Sequence, residues 1–95
     1  MKMPTLSAEM RKGKKPKSLL KEGKIPAVLY GKGIENLNLE VKEKEFEKIL
    51  KQMKENSLIC LKVDAKEFLV QIKEIQTDPI NGKIIHIDFY KPELK

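Results

Sequence analysis

The sequence predicts a mainly β fold with some α: a roughly six-stranded antiparallel β-barrel flanked by two or three short helices. Three observations point to it. Short segments of alternating apolar and polar residues recur along the 95-residue chain, separated by turns rich in Gly, Pro, Asp and Asn. One strong helical stripe, Phe46, Ile49, Leu50 and Met53, stands among them. No internal repeat and no low-complexity linker divides the chain, so a single domain over residues 1–95 is expected. A chain of this length buries roughly 60–65% of its unfolded surface, enough to fold alone with modest stability.

Each element has a local cause. Residues 5–10 place Leu6, Ala8 and Met10 on one face and Thr5, Ser7 and Glu9 on the other, which reads as a half-buried strand. A basic loop around Gly13 follows. Pro16 suits the first turn of a short helix, where its missing N–H costs nothing, and Gly23 suits a left-handed cap at the end. Pro26 opens an extended run, Ala27-Val28-Leu29-Tyr30, closed by Gly31-Lys32-Gly33. Leu37, Leu39 and Val41 alternate as the next strand. The helix carrying the apolar stripe should run over about 44–54, with Glu47 and Lys51 correctly ordered as an i,i+4 pair and Asn56 as a cap. Residues 58–63 are nearly continuously apolar, so both faces of that strand are expected to be covered. Residues 64–67 form a tight connection to a strand with Phe68, Val70 and Ile72 on one face. Asp78-Pro79-Ile80-Asn81-Gly82 is a turn. The last strand, 84–90, places Ile85, Ile87 and Phe89 on one face and Ile84, His86, Asp88 and Tyr90 on the other.

Charge is distributed unevenly. Residues 1–33 carry nine Lys/Arg against two acids, a net +7, while residues 34–95 carry eleven Lys against twelve Asp/Glu, a net −1. Such concentration looks like a footprint for a polyanion. The basic segment mixes Lys with Gly and Pro, has only Glu22 nearby as a counter-charge, and so reads as unpaired. A solvated charged loop is the plainer reading. Five to seven phosphate contacts would give a log–log salt slope of roughly −4 to −6. Gly13, Pro16 and Gly23, with only Leu19 and Leu20 as bulk, argue against a membrane-binding helix. No apolar run nears the ~20 residues that span a bilayer, and the first residues lack the apolar stretch of a secretory signal, so a soluble cytoplasmic protein is expected. Cys60 is the only cysteine, forms no internal disulfide, and reads as a small core residue.

His86 and Asp88 lie at i and i+2 on one strand and emerge on the same face. As a base and its orienter they would support a small hydrolase, but Ser7, Ser18 and Ser57 sit in no nucleophile motif and metal ligands are too few. A polar pair that meets base edges or 2′-hydroxyls fits better, and a solvent-facing pair with no role is the plainer alternative. Tyr30, beside Gly31 and Lys32, reads most simply as a core or rim aromatic, and its basic neighbours allow stacking on RNA or a hydroxyl contact to it. Gly31-Lys32-Gly33 is neither a dinucleotide fingerprint nor a P-loop. With no Trp, and with Phe46, Phe68 and Phe89 assigned to the core, a reader of folded RNA is favoured over a general single-strand binder.

Two blocks carry a resemblance: Lys21-Glu22-Gly23-Lys24-Ile25-Pro26-Ala27-Val28-Leu29-Tyr30-Gly31-Lys32-Gly33, and Gln76-Thr77-Asp78-Pro79-Ile80-Asn81-Gly82-Lys83-Ile84-Ile85-His86-Ile87-Asp88-Phe89-Tyr90. Together they resemble the bacterial large-subunit ribosomal protein twenty-five family, which includes the general stress protein Ctc. The resemblance implies a six-stranded barrel with helices bound to 5S rRNA in the large ribosomal subunit. By matching positions it implies that Arg11, Lys14, Lys15, Lys17, Ser18 and Lys21 meet the RNA backbone. Tyr30, Gln76, His86 and Asp88 would form a sheet-face patch on an irregular internal loop. One departure is plain: where the family's helix is usually rich in Arg, this chain has Lys17-Ser18-Leu19-Leu20, and Lys lacks the bidentate fork of Arg. The expected function is a non-enzymatic constituent of the large ribosomal subunit, monomeric when free, without cofactor or metal. The alternatives are a stress-related paralogue that binds another structured RNA, or the hydrolase built on His86 and Asp88.

Overall fold

The computed structural model describes residues 3–53 and 58–93. The expected strands all form: β1 (Thr5–Met10), β2 (Lys24–Gly31), β3 (Leu37–Lys42), β4 (Leu58–Val63), β5 (Lys66–Thr77) and β6 (Ile84–Lys91). Two helices join them, α1 (Pro16–Lys21) and α2 (Glu43–Gln52). The strands close into a barrel in the order β1-β3-β2-β6-β5-β4. Asn56 as a cap, the last residue expected of the second helix, and Ser57 lie outside the described residues.

The pairing is not antiparallel throughout. The β1/β4 and β2/β6 seams are parallel, and the other four are antiparallel. Tight turns fix the direction of neighbours such as β4 and β5. The two parallel seams join strands far apart in sequence, and the direction of such a pair leaves no mark in the alternation of either strand.

Inward side chains from all six strands fill the interior, among them Leu6, Leu29, Leu39, Leu61, Val70 and Phe89, each fully buried. The stripe of α2 completes it. Phe46 and Ile49 belong to the same buried cluster, and the Phe46 ring meets Phe89 edge-on at 6.4 Å between centroids. The helix ends at Gln52 and Met53 is extended, yet Met53 still packs against the core. Glu43 and Glu45 in the first turn, and Lys51 in the last, suit the helix dipole.

Pro16 is the first residue of α1. Gly23, at φ +79°, ends the helix and donates its N–H to Leu20 O at 3.2 Å. Leu19 is fully buried yet stands apart from the interior cluster. α1 packs against β2, so Leu19 covers the outer side of that strand, where Pro26 is also buried. Pro26 lies inside β2 rather than opening it; it pairs with Glu40 of β3, while the seam with β6 starts one residue later at Ala27. Its missing N–H is therefore not needed by a second neighbour.

Two expectations about apolar strands fail. Leu58 and Cys60 face outward from β4 and are only half buried, because both helices pack elsewhere, α1 on β2 and α2 on β1 and β3. Cys60 is thus a surface-facing thiol between Thr5 and Leu69, not a core residue. At the start of β6, Thr77 pairs with Ile84 and Gln76 with His86, leaving Ile85 as the extra residue of a bulge. Ile84, not Ile85, packs against the core. Among the described residues no helix is long and apolar enough to cross a membrane.

Gly31 pairs with Lys91 at the end of the β2/β6 seam, and a Cβ there would collide with the Lys91 carbonyl oxygen. Gly31→Ala is expected to destabilise the fold by about 1–3 kcal/mol, read from the urea midpoint. The same change at the open Gly33, where strain comes only from its positive φ, should leave the β2/β6 amides unshifted in NMR spectra, whereas Gly31→Ala should move them.

Candidate nucleic-acid interface

The first group of polar side chains stands on the outer face of β2, β6 and β5. If the alternation of Phe68, Val70 and Ile72 continued, Glu74 and Gln76 would point inward. It does not continue: Ile72 pairs with Phe89 and Glu74 with Asp88, so Lys73 is the extra residue of a bulge. The bulge shifts the phase. Ile75 then packs inward, while Gln76 lies across from His86 and Glu74 across from Asp88 on the outside. On the other side of β6, Val28 pairs with Asp88 and Tyr30 with Tyr90. The four residues expected on the sheet face, Tyr30, Gln76, His86 and Asp88, are thereby on one surface.

Its details favour directional contacts. His86 Nδ1 is 3.0 Å from Asp88 Oδ1, with the two side chains 32% and 22% exposed. The pair does not meet hydrogen-bond geometry, and Nδ1 has no hydrogen-bond partner among the described residues. The Tyr30 and Tyr90 rings meet edge-on at 5.6 Å, and Lys73 Nζ lies 5.8 Å from the centre of the Tyr90 ring. Burial, with smaller contributions from Asp88, Glu74 and Tyr90, pushes the Tyr30 hydroxyl above its ordinary pKa of 10.0. Tyr30 therefore keeps its proton at neutral pH and can donate it in a hydrogen bond. The sequence reading passed over Tyr90, Lys73 and Glu74 as site residues. Tyr90 was legible as an outward aromatic on the His86 face, but the other two depend on the bulge.

The second group is basic. Lys14, Lys15, Lys17, Ser18 and Lys21 are exposed and Arg11 is half buried. Arg11 N–H donates to Asn38 O at 3.0 Å, which ties the loop to the start of β3. This segment is less free of counter-charge than the sequence suggests. Lys14 Nζ is 3.4 Å from Glu22 Oε1, and Lys24 Nζ is 3.9 Å from the same oxygen. Lys24 also reaches Glu40 Oε1 at 3.3 Å. Glu40 is the buried charged residue among those described, at 6% exposure, and its Oε2 has no hydrogen-bond partner. The alternation of Leu37, Leu39 and Val41 puts Glu40 on the opposite face from the core, yet it is buried. Glu40 stands between Glu9 of β1 and Pro26 of β2 in the sheet, with Lys24 reaching its carboxylate.

β2 is the common neighbour of the two groups. It carries α1 on its outer side and pairs with β6 along one edge. Among the described residues no three or more His, Cys, Asp or Glu are placed to hold a metal ion.

A profile of the Ribosomal L25p family matches residues 6–89 of this chain. The chain is 40% identical over 87 residues to a large ribosomal subunit protein bL25 from Geobacillus thermodenitrificans, covering 88% of this chain and 41% of that protein. A Staphylococcus epidermidis protein of the same name is 40% identical over 91 residues, covering 92% of this chain and 42% of the relative. One from Caldicellulosiruptor saccharolyticus is 49% identical over 71 residues, covering 75% of this chain and 35% of the relative. The chain thus spans about two fifths of the length of the first two relatives.

The hydrogen bond from Lys24 to Glu40, with their mutual attraction, raises the Lys24 pKa above 10.5. A raised folded value means that the pair's contribution to stability is complete below 10.5 and fades as pH climbs through the folded pKa. Lys24→Met, which strands the buried carboxylate, should lower the urea midpoint more than Lys14→Met at neutral pH. The gap between wild type and Lys24→Met should narrow at alkaline pH.

Proposed function

The chain belongs to the ribosomal L25p family, and from that membership we propose that it is a non-enzymatic structural constituent of the large ribosomal subunit that binds 5S rRNA. Residues 1–95 act as a single RNA-binding domain, ribosome-associated in the cytoplasm and monomeric when free. Affinity comes from Arg11, Lys14, Lys15, Lys17 and Lys21, with Ser18 as a hydrogen-bonding partner to the backbone. Each phosphate neutralised releases counterions, so this half of the site supplies attraction without sequence choice. Choice comes from the sheet face. Gln76 presents both donors and an acceptor, Asp88 accepts, Tyr30 donates, and the partly exposed His86 ring can stack or donate.

The observation that carries this reading is the position of β2 between α1 and β6. A basic helix and a polar sheet face that meet at one strand suit a helical arm whose phosphates lie beside an opened groove. The lysines of α1 act as point charges where a guanidinium would impose a planar fork. Register on the RNA then depends more heavily on Tyr30, Gln76, His86 and Asp88.

The test is a titration against 5S rRNA and tRNA at several salt concentrations. Tight binding to 5S rRNA is expected, with a log–log slope of roughly −4 to −6. Equal affinity for the two RNAs would sink the specific reading, and a flat salt dependence would remove the electrostatic one. His86→Ala should weaken 5S rRNA binding about 10-fold or more with little change in slope, as expected for a contact to a base or sugar. Lys17→Gln should reduce the slope by about 0.7–0.9 and weaken binding to both RNAs alike.

A further inference from the structure

Glu22 is in an odd place for an acid. It caps the C-terminal end of α1, where the helix dipole disfavours negative charge. It is also the only acid between Arg11 and Lys32, in the middle of the basic segment. Its Oε1 lies between two ammonium groups, Lys14 Nζ at 3.4 Å and Lys24 Nζ at 3.9 Å. One anionic oxygen shared by two lysines is the arrangement a phosphate oxygen would adopt in the same place.

We infer that Lys14 and Lys24 form a binding site for a single backbone phosphate, and that Glu22 occupies it in the free protein as an internal stand-in for that anion. The inference rests on the RNA-binding reading above and names its phosphate subsite. Lys24 belongs to neither group of residues put forward there.

The geometry supports exchange. Glu22 and Lys14 are each 45% exposed, so their pair can open to solvent, and exposed pairs of this kind contribute little. Lys24 is held from its other side by the buried Glu40 carboxylate at 3.3 Å. Its ammonium therefore stays in place when Glu22 swings away. Lys12 joins Lys14 and Lys24 along a cleft of about 300 Å³, adding a third positive charge. Glu9, Glu40 and Asp64 line the same cleft, so an anion is favoured only where it lies closer to the ammonium groups than to these carboxylates. A phosphodiester carries a full negative charge spread over two free oxygens. It can engage both lysines at once and replaces Glu22 without leaving either unpaired.

The consequence is a tax on RNA binding. In the wild type the entering phosphate must first displace Glu22, and the carboxylate set free attracts cations from solution, offsetting part of the release from the RNA. Glu22→Gln keeps the side-chain shape and the backbone of the cap while removing the competing charge.

The decisive experiment titrates 5S rRNA into wild type, Glu22→Gln, Lys14→Gln and the double variant at several salt concentrations. Glu22→Gln is expected to bind about three- to ten-fold tighter at low salt, with a slope steeper by about 0.7–0.9 and a gain that fades as salt rises. In the Lys14→Gln background most of that gain should vanish. Unchanged or weaker binding by Glu22→Gln would overturn the inference, because Glu22 would then be a scaffold that positions the lysines. A gain undiminished without Lys14 would also overturn it, as a general charge effect. A second arm follows the backbone amides of residues 14, 22 and 24 by NMR during titration with inorganic tripolyphosphate at constant ionic strength. Saturating shifts, reached at lower concentration in Glu22→Gln than in wild type, are expected. If wild type fails to bind 5S rRNA, the function proposed above falls, while this arm still decides the anion site: absence of saturable shifts in either protein would end it.

Discussion

The parallel seam between β2 and β6 is the contact on which the rest of this molecule depends. It joins residues 27–31 to residues 87–91, bringing strands from the two ends of the chain side by side. No hairpin turn helps it form, so the loop-closure entropy must be offset by burial of Leu29, Ile87 and Phe89 in the interior. The seam also needs close backbone approach at its end, which Gly31 permits beside the Lys91 carbonyl. Barrel closure follows from it, and so does the surface chemistry. α1 rides on the outer side of β2, while His86 and Asp88 project from the outer side of β6. Without that seam the basic and the polar groups would belong to separate surfaces.

A second constraint runs beneath the basic segment. Lys24 enters β2 directly after the Gly23 cap and meets the buried Glu40 carboxylate of the neighbouring strand β3. The pair is held by geometry more than by net energy, since removing a charge from water costs much of what the partner returns. Its structural consequence is orientation: Lys24 is fixed on the barrel side, and Glu22 and then Lys14 follow as a chain of alternating charge leading outward to solvent. The loop that looked like a free run of positive charge is in part already engaged. Positive charge at this surface is therefore graded, from fixed and compensated at Lys24 to exposed at Lys15 and Lys17.

The two halves of the candidate interface differ in what holds them. The sheet face is rigid because its residues sit on paired strands with the core behind them. The loop preceding α1 is tied to the barrel by few contacts, chief among them the Arg11 N–H to Asn38 O bond and the exposed pair of Lys14 with Glu22. In the function proposed above, the rigid surface would choose and the adaptable charged segment would attract, a division suited to a polyanion of irregular shape.

Much of this was legible in the residues alone. Period-two alternation located four strands and short apolar runs the other two, the stripe of Phe46, Ile49 and Leu50 located α2, and Pro16 with Gly23 bracketed α1, because these are local consequences of sterics and of burial. His86 and Asp88 were placed on one face for the same reason. Long-range geometry was not legible. Alternation records which face a residue occupies but neither the direction of a distant partner nor the number of residues in a bulge. The parallel seams escaped it, and so did the phase shift at Lys73 that turns Glu74 and Gln76 outward. The burial of Glu40 escaped it because that depends on the side chains that neighbouring strands bring beside it, and Cys60 faces outward because both helices pack on other strands. The sequence by itself determined the elements, the core and the uneven charge. Only the tertiary structure decided which strands meet, and therefore which polar groups share a surface, because those outcomes are set by packing between segments far apart along the chain.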